Sequence, residues 1–353
     1  MKGGRMPLAD EPPPRFVIRD ARRGDLEPLL RLSRILDSIN LPTEREDMRR
    51  MIARSRRSFA GTLGNRAHGA YVFVAEDRLT RRLAGGSMII AKHGTPDSPH
   101  FYLEIGSDER YSRTLHKMFR HSYLHLHHSM DGPTEVGGLI VEPRLRRHPA
   151  RLGTQLSFAR FLYIAMHRSR FERDVIAEMK PPLNAKGENR FWQSYGARVT
   201  GLTFRQADKL STKDKEFIPA LFPNVPIYTC MLPPEVQQEI GTVGVETRGA
   251  VRLLEHVGLR FLNHIDPFDA GPYYGARIDE VTAVREASRV RLQPDSGGAP
   301  SRRKPHLVAI ERRGFLAFRA LGRRRGDVLH LAPAIFAALG LRPQTVATAL
   351  PIP

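Results

Sequence analysis

Glu135-Val-Gly-Gly-Leu-Ile-Val141, then Glu142-Pro-Arg-Leu-Arg-Arg-His-Pro-Ala-Arg-Leu-Gly153, then Thr154-Gln-Leu-Ser-Phe-Ala-Arg-Phe-Leu-Tyr-Ile-Ala-Met166: this stretch decides the fold. The first block is short, apolar and rich in β-branched residues, which predicts a strand. The second holds four arginines, a histidine and two prolines and predicts a turn. The third predicts a helix. A strand feeding a basic turn at a helix N-terminus makes an anion cradle, because the first helical N–H groups lack partners and the helix dipole favours negative charge. An ordinary strand-to-helix loop with solvated arginines is the bland alternative.

Outward from this stretch the chain alternates strands and helices. Phe16–Asp20 predicts a strand, Leu26–Asp37 a helix with Leu26, Leu29, Leu30, Leu32 and Ile35 on one side, and Glu44–Arg56 a second helix with Thr43 and Glu46 as a capping box. Ala70–Asp77 and Leu83–Ala91 read as a hairpin, and Phe101–Ile105 as a short strand. Past the opening stretch come a strand at Asp174–Met179, a short helix from Phe191 closed by Gly196, and a strand at Ala197–Phe204. Helices are expected at Pro234–Ile240 and Thr247–Val257, strands at 306–311 and 315–321, and a helix at Pro333–Leu339. The fold class is α+β: a mixed sheet flanked by helices, with a smaller β-rich C-terminal module. The expected division is a disordered tail over 1–15, a main domain over 16–230, and a helix/β-barrel-like module over 231–353 with a mobile linker near 293–305.

Composition narrows the classes. The chain has 353 residues, 41% hydrophobic, enough to bury a sizeable core. No apolar run approaches the roughly 20 residues of a membrane span. The start lacks the apolar segment of a secretion signal, and the single Cys230 excludes a disulfide framework or a cysteine-rich zinc site. The expectation is a cytoplasmic protein. The net charge of +19 raises nucleic-acid binding as one reading. The arginines are spread along the chain, however, without a helix-turn-helix, zinc-finger or RNP signature, so nucleic acid is not the expected partner. A basic field also suits an anionic acyl-coenzyme A.

Between Val175 and Asp279 the sequence becomes specific. Val175-Ile-Ala-Glu-Met179, Phe191-Trp-Gln-Ser194 with Gly196, Pro226-Ile-Tyr-Thr229 and Asn263-His-Ile-Asp-Pro-Phe-Asp-Ala-Gly-Pro272, with Tyr71-Val-Phe-Val74 and Leu139 to Pro143 upstream, resemble the arginine N-succinyltransferase family, within the GNAT acyl-CoA N-acyltransferase superfamily. The resemblance covers roughly residues 15–290. It implies a GNAT-like mixed sheet and transfer of succinyl from succinyl-CoA, a co-substrate and not a tightly bound cofactor, to the α-amino group of L-arginine. It also implies a homo-oligomer or an assembly with a related subunit.

The implied chemistry assigns candidates. Arg146, Arg147, Arg151 and Gly153 are the pyrophosphate cradle, and Leu139 is the succinyl-CoA contact, beside backbone donors at Gly138–Ile140 for the thioester oxyanion. Glu178, Asp266 and Asp269 are candidate carboxylates for a guanidinium, with edge or turn-capping roles as the plain alternative. Trp192 and Phe191 read as core. Cys230 reads as a buried small residue. His121, His125, His127 and His128 offer an i, i+4 pair that would face one way on a helix, but no acidic partner completes a set, and no metal is expected. The family's proton-donor histidine stands in a Val-His-Pro-x-Thr segment. Here that segment is Val243-Gly244-Val245-Glu246-Thr247, which leaves Glu246, His256 or His264 as substitutes, with His264 preferred. The basic turn also differs from the family's Arg-Lys-x-Gly-Asn-Gly form: it is longer, contains Pro149 and lacks the middle glycine. Alternatives are a non-catalytic paralogue binding acyl-CoA or arginine, and a nucleic-acid-binding protein.

Overall fold

A computed structural model describes residues 11–36, 41–183, 190–295 and 303–353. In chain order the strands and helices are β1 Phe16–Asp20, α1 Leu26–Leu36, α2 Arg45–Ala60, β2 Ala70–Asp77, β3 Leu83–Ile90, β4 His100–Ser112, β5 Lys117–Ser129, β6 Thr134–Val141, α3 Leu152–Met166 and β7 Asp174–Glu178. Then follow α4 Arg190–Ser194, α5 Gly196–Thr200, α6 Phe204–Ser211, α7 Phe217–Leu221, β8 Ile227–Tyr228, α8 Pro234–Glu239, α9 Arg248–His256, β9 Arg260–Ile265 and β10 Pro272–Arg277. The last are α10 Thr282–Glu286, β11 Ser288–Pro294, β12 Lys304–Glu311, β13 Phe315–Arg325, β14 Val328–Leu331, α11 Pro333–Leu339 and β15 Thr345–Pro351. The class is α+β, a mixed sheet with helices and a C-terminal strand module.

The chain forms two compact units, and they are not the consecutive blocks 16–230 and 231–353. The first comprises the described residues up to Ala91, Val136–Phe171 and those from Ile278 onward; the second comprises Lys92–Glu135 and Glu172–Arg277. In the first unit the strands run β12-β15-β11-β14-β13-β1-β2-β3-β6. A further pairing of β12 with β13 closes the five C-terminal strands into a ring, filled by Val290, Leu292, Val308, Phe318, Leu329, Leu331 and Ile335. Strand β13 also pairs with β1, Val17 opposite Phe318, so the C-terminal strands extend the N-terminal sheet. This is why the division at 230 fails. Helix α3 packs on these strands with Leu156, Phe161, Leu162 and Tyr163 almost wholly buried. Its apolar residues lie all round, as a central helix requires.

The second unit orders its strands from the first residues of β6 through β7, β10, β9, β4, β5 and β8. Pairing of β6 with β7 is parallel at Thr134↔Val175 and Glu135↔Ile176. Its core gathers Phe101, Leu103, Phe191, Trp192, Tyr195, Ile218, Phe222 and Ile265. Trp192 and Phe191 are core, as expected.

Several local expectations need correction. Ala197–Phe204 is not a strand: Gly201 closes α5 with φ +68°, and Thr203 starts α6 through a reciprocal box with Gln206. Helix α2 is preceded by Glu44 and has no side-chain cap from Thr43. The short strand at Phe101 is the start of a 13-residue strand in a long hairpin with β5. The histidines at 121–128 lie on β5, where i and i+4 carry no helical face. Cys230 is exposed, not buried. Most of the 1–15 tail and of the 293–305 linker lies outside the described residues; β11 and β12 take in the linker's ends.

Candidate active site

The turn Asp266–Pro272 shows why its residue types recur as a block. Asp266 Oδ1 accepts from the backbone N–H of Phe268 (2.7 Å) and Asp269 (3.2 Å), and Asp266 N donates to Gly271 O (2.8 Å). Asp269 Oδ1 accepts from Gly271 N (2.7 Å). Both carboxylates are thus oriented by their own backbone. Phe268 anchors the turn by stacking on Trp192, with ring centroids 5.1 Å apart and planes 6° apart. Gly271 must be glycine, because a Cβ there would sit 2.6 Å from Met179 O and 2.8 Å from Asp269 Oδ1. That close approach lays the turn against the end of β7, where Glu178 stands opposite Tyr273 of β10.

The result is one cluster. Glu178, Asp266 and Asp269 each offer a carboxylate oxygen, all within 4.8 Å of one another. The Tyr273 hydroxyl bridges Glu178 Oε2 (3.4 Å) and Asp266 Oδ2 (3.3 Å). Among the described residues no arginine or lysine forms an ion pair with Glu178 or Asp266. Burial, then mutual repulsion, lifts Glu178 well above its ordinary range; burial raises Asp266, and burial with the Asp266 charge pushes Asp269 up to about 8. Lys215, whose Nζ donates to Pro99 O (3.1 Å), is lowered by burial and feels Asp266, Glu135 and Glu178. Burial of three carboxyls this close together favours their protonated forms, and an arriving cation would favour the ionised ones. Hard metal ions and guanidinium groups both match the donor set.

The candidate cradle segment lies in the first unit. Gly138, within β6, has the left-handed φ of +59°, and a Cβ there would lie 2.9 Å from Met88 Cγ. Leu139 follows it and is half-buried. Arg160 of α3 is 2% exposed and donates to Gly137 O (3.3 Å) and Ser157 Oγ (2.9 Å); burial lowers its pKa to about 9. Arg146, Arg147 and Arg151 are exposed around the N-terminus of α3, and Gly153 lies in its first turn. Arg151 is the residue before the helix and takes φ 54°, ψ 52°. That left-handed conformation favours glycine.

Comparisons with known proteins give the family. The family model for the arginine N-succinyltransferase beta subunit matches residues 16–283. The arginine N-succinyltransferase of Photorhabdus laumondii is 34% identical over 309 residues, covering 87% of this chain and 88% of its own. That of Yersinia enterocolitica is 32% identical over 330 residues, 92% and 94% of the two chains. The chain belongs to the arginine N-succinyltransferase family. Among solved structures, subunit AI of the arginine/ornithine succinyltransferase from Pseudomonas aeruginosa superposes with a TM-score of 0.81 at 25% identity, covering 96% of this chain and 99% of that one.

Within this family the remaining candidates take their places. Gly244 is buried, and a Cβ there would meet Pro181 O at 2.9 Å, Lys180 O at 3.1 Å and Glu246 Oε2 at 3.2 Å. The motif's histidine position is closed by backbone. Glu246 and His256 are exposed. His264 stacks on Tyr102, centroids 4.2 Å apart, in register with Glu104, and burial lowers its pKa. The structure brings Glu178, Asp266 and Asp269 together and sets His264 on the Tyr102–Glu104 side of β9. Sequence reasoning missed Tyr273, Lys215, His93, His100 and Glu135. Only Glu135 had a signal, an acid inside the apolar run that opens β6.

Proposed function

We propose that this chain transfers the succinyl group of succinyl-CoA to the α-amino group of L-arginine, releasing N2-succinylarginine and free CoA. The observation that carries the acceptor assignment is the Glu178, Asp266 and Asp269 cluster. A planar guanidinium can bond two carboxylates at once, and its charge favours ionisation of groups whose pKa burial raises. Tyr273 then holds Glu178 and Asp266 in place. For the donor, free N–H groups at the start of α3, with Arg146, Arg147, Arg151 and Gly153, suit the pyrophosphate. The left-handed backbone at Gly138 turns the chain beside Leu139, where an N–H can bond the oxyanion formed on the thioester carbonyl. The amine attacks the thioester directly, without a covalent enzyme intermediate. The setting is the cytoplasm, and the assembly a homo-oligomer or a complex with a related subunit.

The closed position at Gly244 favours a second reading, a paralogue that binds these ligands without turnover. Thiol release from succinyl-CoA, measured with arginine, ornithine and lysine, separates the two. Arginine-dependent release supports the transferase. Thermal stabilisation by arginine without release from any amine supports the paralogue.

A further inference from the structure

An imidazole–carboxylate pair in the second unit is not used above. His93 Nδ1 lies 2.6 Å from Glu135 Oε2; the Glu135 side chain is 3% exposed and that of His93 26%. The backbone around His93 is tightly held. His93 N donates to Pro133 O (2.7 Å) and Gly132 N to Gly94 O (3.2 Å). Gly94 has φ +103°, and a Cβ on Gly132 would fall 1.8 Å from His93 O, so only glycines let these segments close.

The His93 ring packs edge-on against His100, with centroids 4.4 Å apart. His100 is 5% exposed and its Nε2 has no hydrogen-bond partner among the described residues; burial drives its pKa down to about 2, so it adds no charge beside His93. The His100 ring lies 5.0 Å from Tyr273, whose hydroxyl reaches Glu178 and Asp266. A continuous run of ring contacts therefore joins the His93–Glu135 pair to the carboxylate cluster.

With Nδ1–H given to a buried carboxylate, the second ring nitrogen, Nε2, carries the lone pair. The carboxylate orients the ring and stabilises the imidazolium once formed, which is the arrangement of a general base. We infer that His93 is the base that deprotonates the acceptor ammonium, with Glu135 as its positioning residue. The inference rests on the transferase reading above. The ammonium N–H bond breaks and the proton moves to His93 Nε2. The freed amine forms the C–N bond at the thioester carbonyl, and the C–S bond then breaks. Of the two protons the nitrogen gives up in becoming an amide, one leaves through the imidazole to solvent and the other ends on the CoA sulfur.

The test compares wild type, His93→Gln, His93→Ala and Glu135→Gln by thiol release, with melting temperature as the check on folding. The expected result for His93→Gln is a kcat lower by about 10²- to 10³-fold with the arginine KM within about threefold. Added imidazole restores part of the His93→Ala rate, which a structural role would not allow. Glu135→Gln lowers kcat with the same small change in KM. A folded His93→Gln retaining kcat within about threefold of wild type overturns the base assignment and leaves the transferase reading intact. Wild-type turnover of another amine but not arginine overturns the acceptor assignment, and the same variants then judge His93 on that amine. No wild-type turnover with any amine overturns both.

Discussion

Replacing Asp269 with Asn is expected to stabilise the empty protein and abolish arginine binding, with a pH signature that links the two. The Asp269 carboxyl titrates at about 8 in the folded chain, raised by burial and by Asp266, against an ordinary value of 3.8. Folding therefore takes up a proton at any pH between these values. The stability this group allows is fully present below 3.8 and declines as pH rises towards 8, at up to about 1.4 kcal/mol per pH unit. From pH 5 to 8 the upper bound is about 4 kcal/mol; partial exposure of the residue and solvent screening reduce the expected change to roughly 2 kcal/mol. Asn keeps an acceptor for Gly271 N–H, bonded at 2.7 Å, and has nothing to titrate. The gain of Asp269→Asn over wild type should therefore widen between pH 5 and pH 8 by roughly 4–8 °C in melting temperature. Arginine at pH 8 should raise the melting point of wild type and leave the variant unmoved. In wild type, arginine affinity should itself rise by about 50-fold from pH 6 to 8, as the ionised fraction of a group titrating near 8 goes from about 1% to one half. A variant less stable than wild type by the same amount at both pH values, or still stabilised by arginine, would refute the reasoning.

Three further outcomes are expected. Arg151→Gly relieves the left-handed backbone before α3 and should raise stability by about 1 kcal/mol, while loss of the exposed cation raises the succinyl-CoA KM more at low than at high salt; denaturant midpoints and KM at two ionic strengths check this. Gly244→His should lower stability by about 1–3 kcal/mol and leave thiol release no higher, because its Cβ meets the Pro181 and Lys180 carbonyls. Trp192→Ala should cost about 3–5 kcal/mol in chemical unfolding and loosen the Asp266–Pro272 turn, since Trp192 is 1% exposed and stacks on Phe268.

Elements with strong local periodicity were legible in the chain. Helices α1, α3 and α9 and strands β1, β2, β3, β6 and β7 stand close to where the apolar pattern puts them. The β4–β5 hairpin was not, because Lys117–Ser129 scatters four histidines, Lys117 and Arg120 among its apolar residues and buries only Leu124, which leaves no clear apolar alternation to read. The five-residue segment Gly196–Thr200 shows the opposite failure. Val199 and Leu202 suggest a strand, but Gly201 and the Thr203–Gln206 box enforce helical turns.

By itself the sequence determined the α+β class and the strand–turn–helix order over 134–166, and it named Glu178, Asp266 and Asp269 as candidates that the fold brings together. Each rests on local spacing or on a contiguous block whose residues bond one another, as Asp266, Asp269 and Gly271 do. Only the tertiary structure decided what those residues meet. It drew segments 92–135 and 172–277 into one unit, closed the last strands into a ring continued by β1, and brought His93 from one loop to Glu135 on another strand. It also placed backbone where a histidine at position 244 would stand. Such contacts join residues tens of positions apart through burial and strand pairing, which no local pattern records.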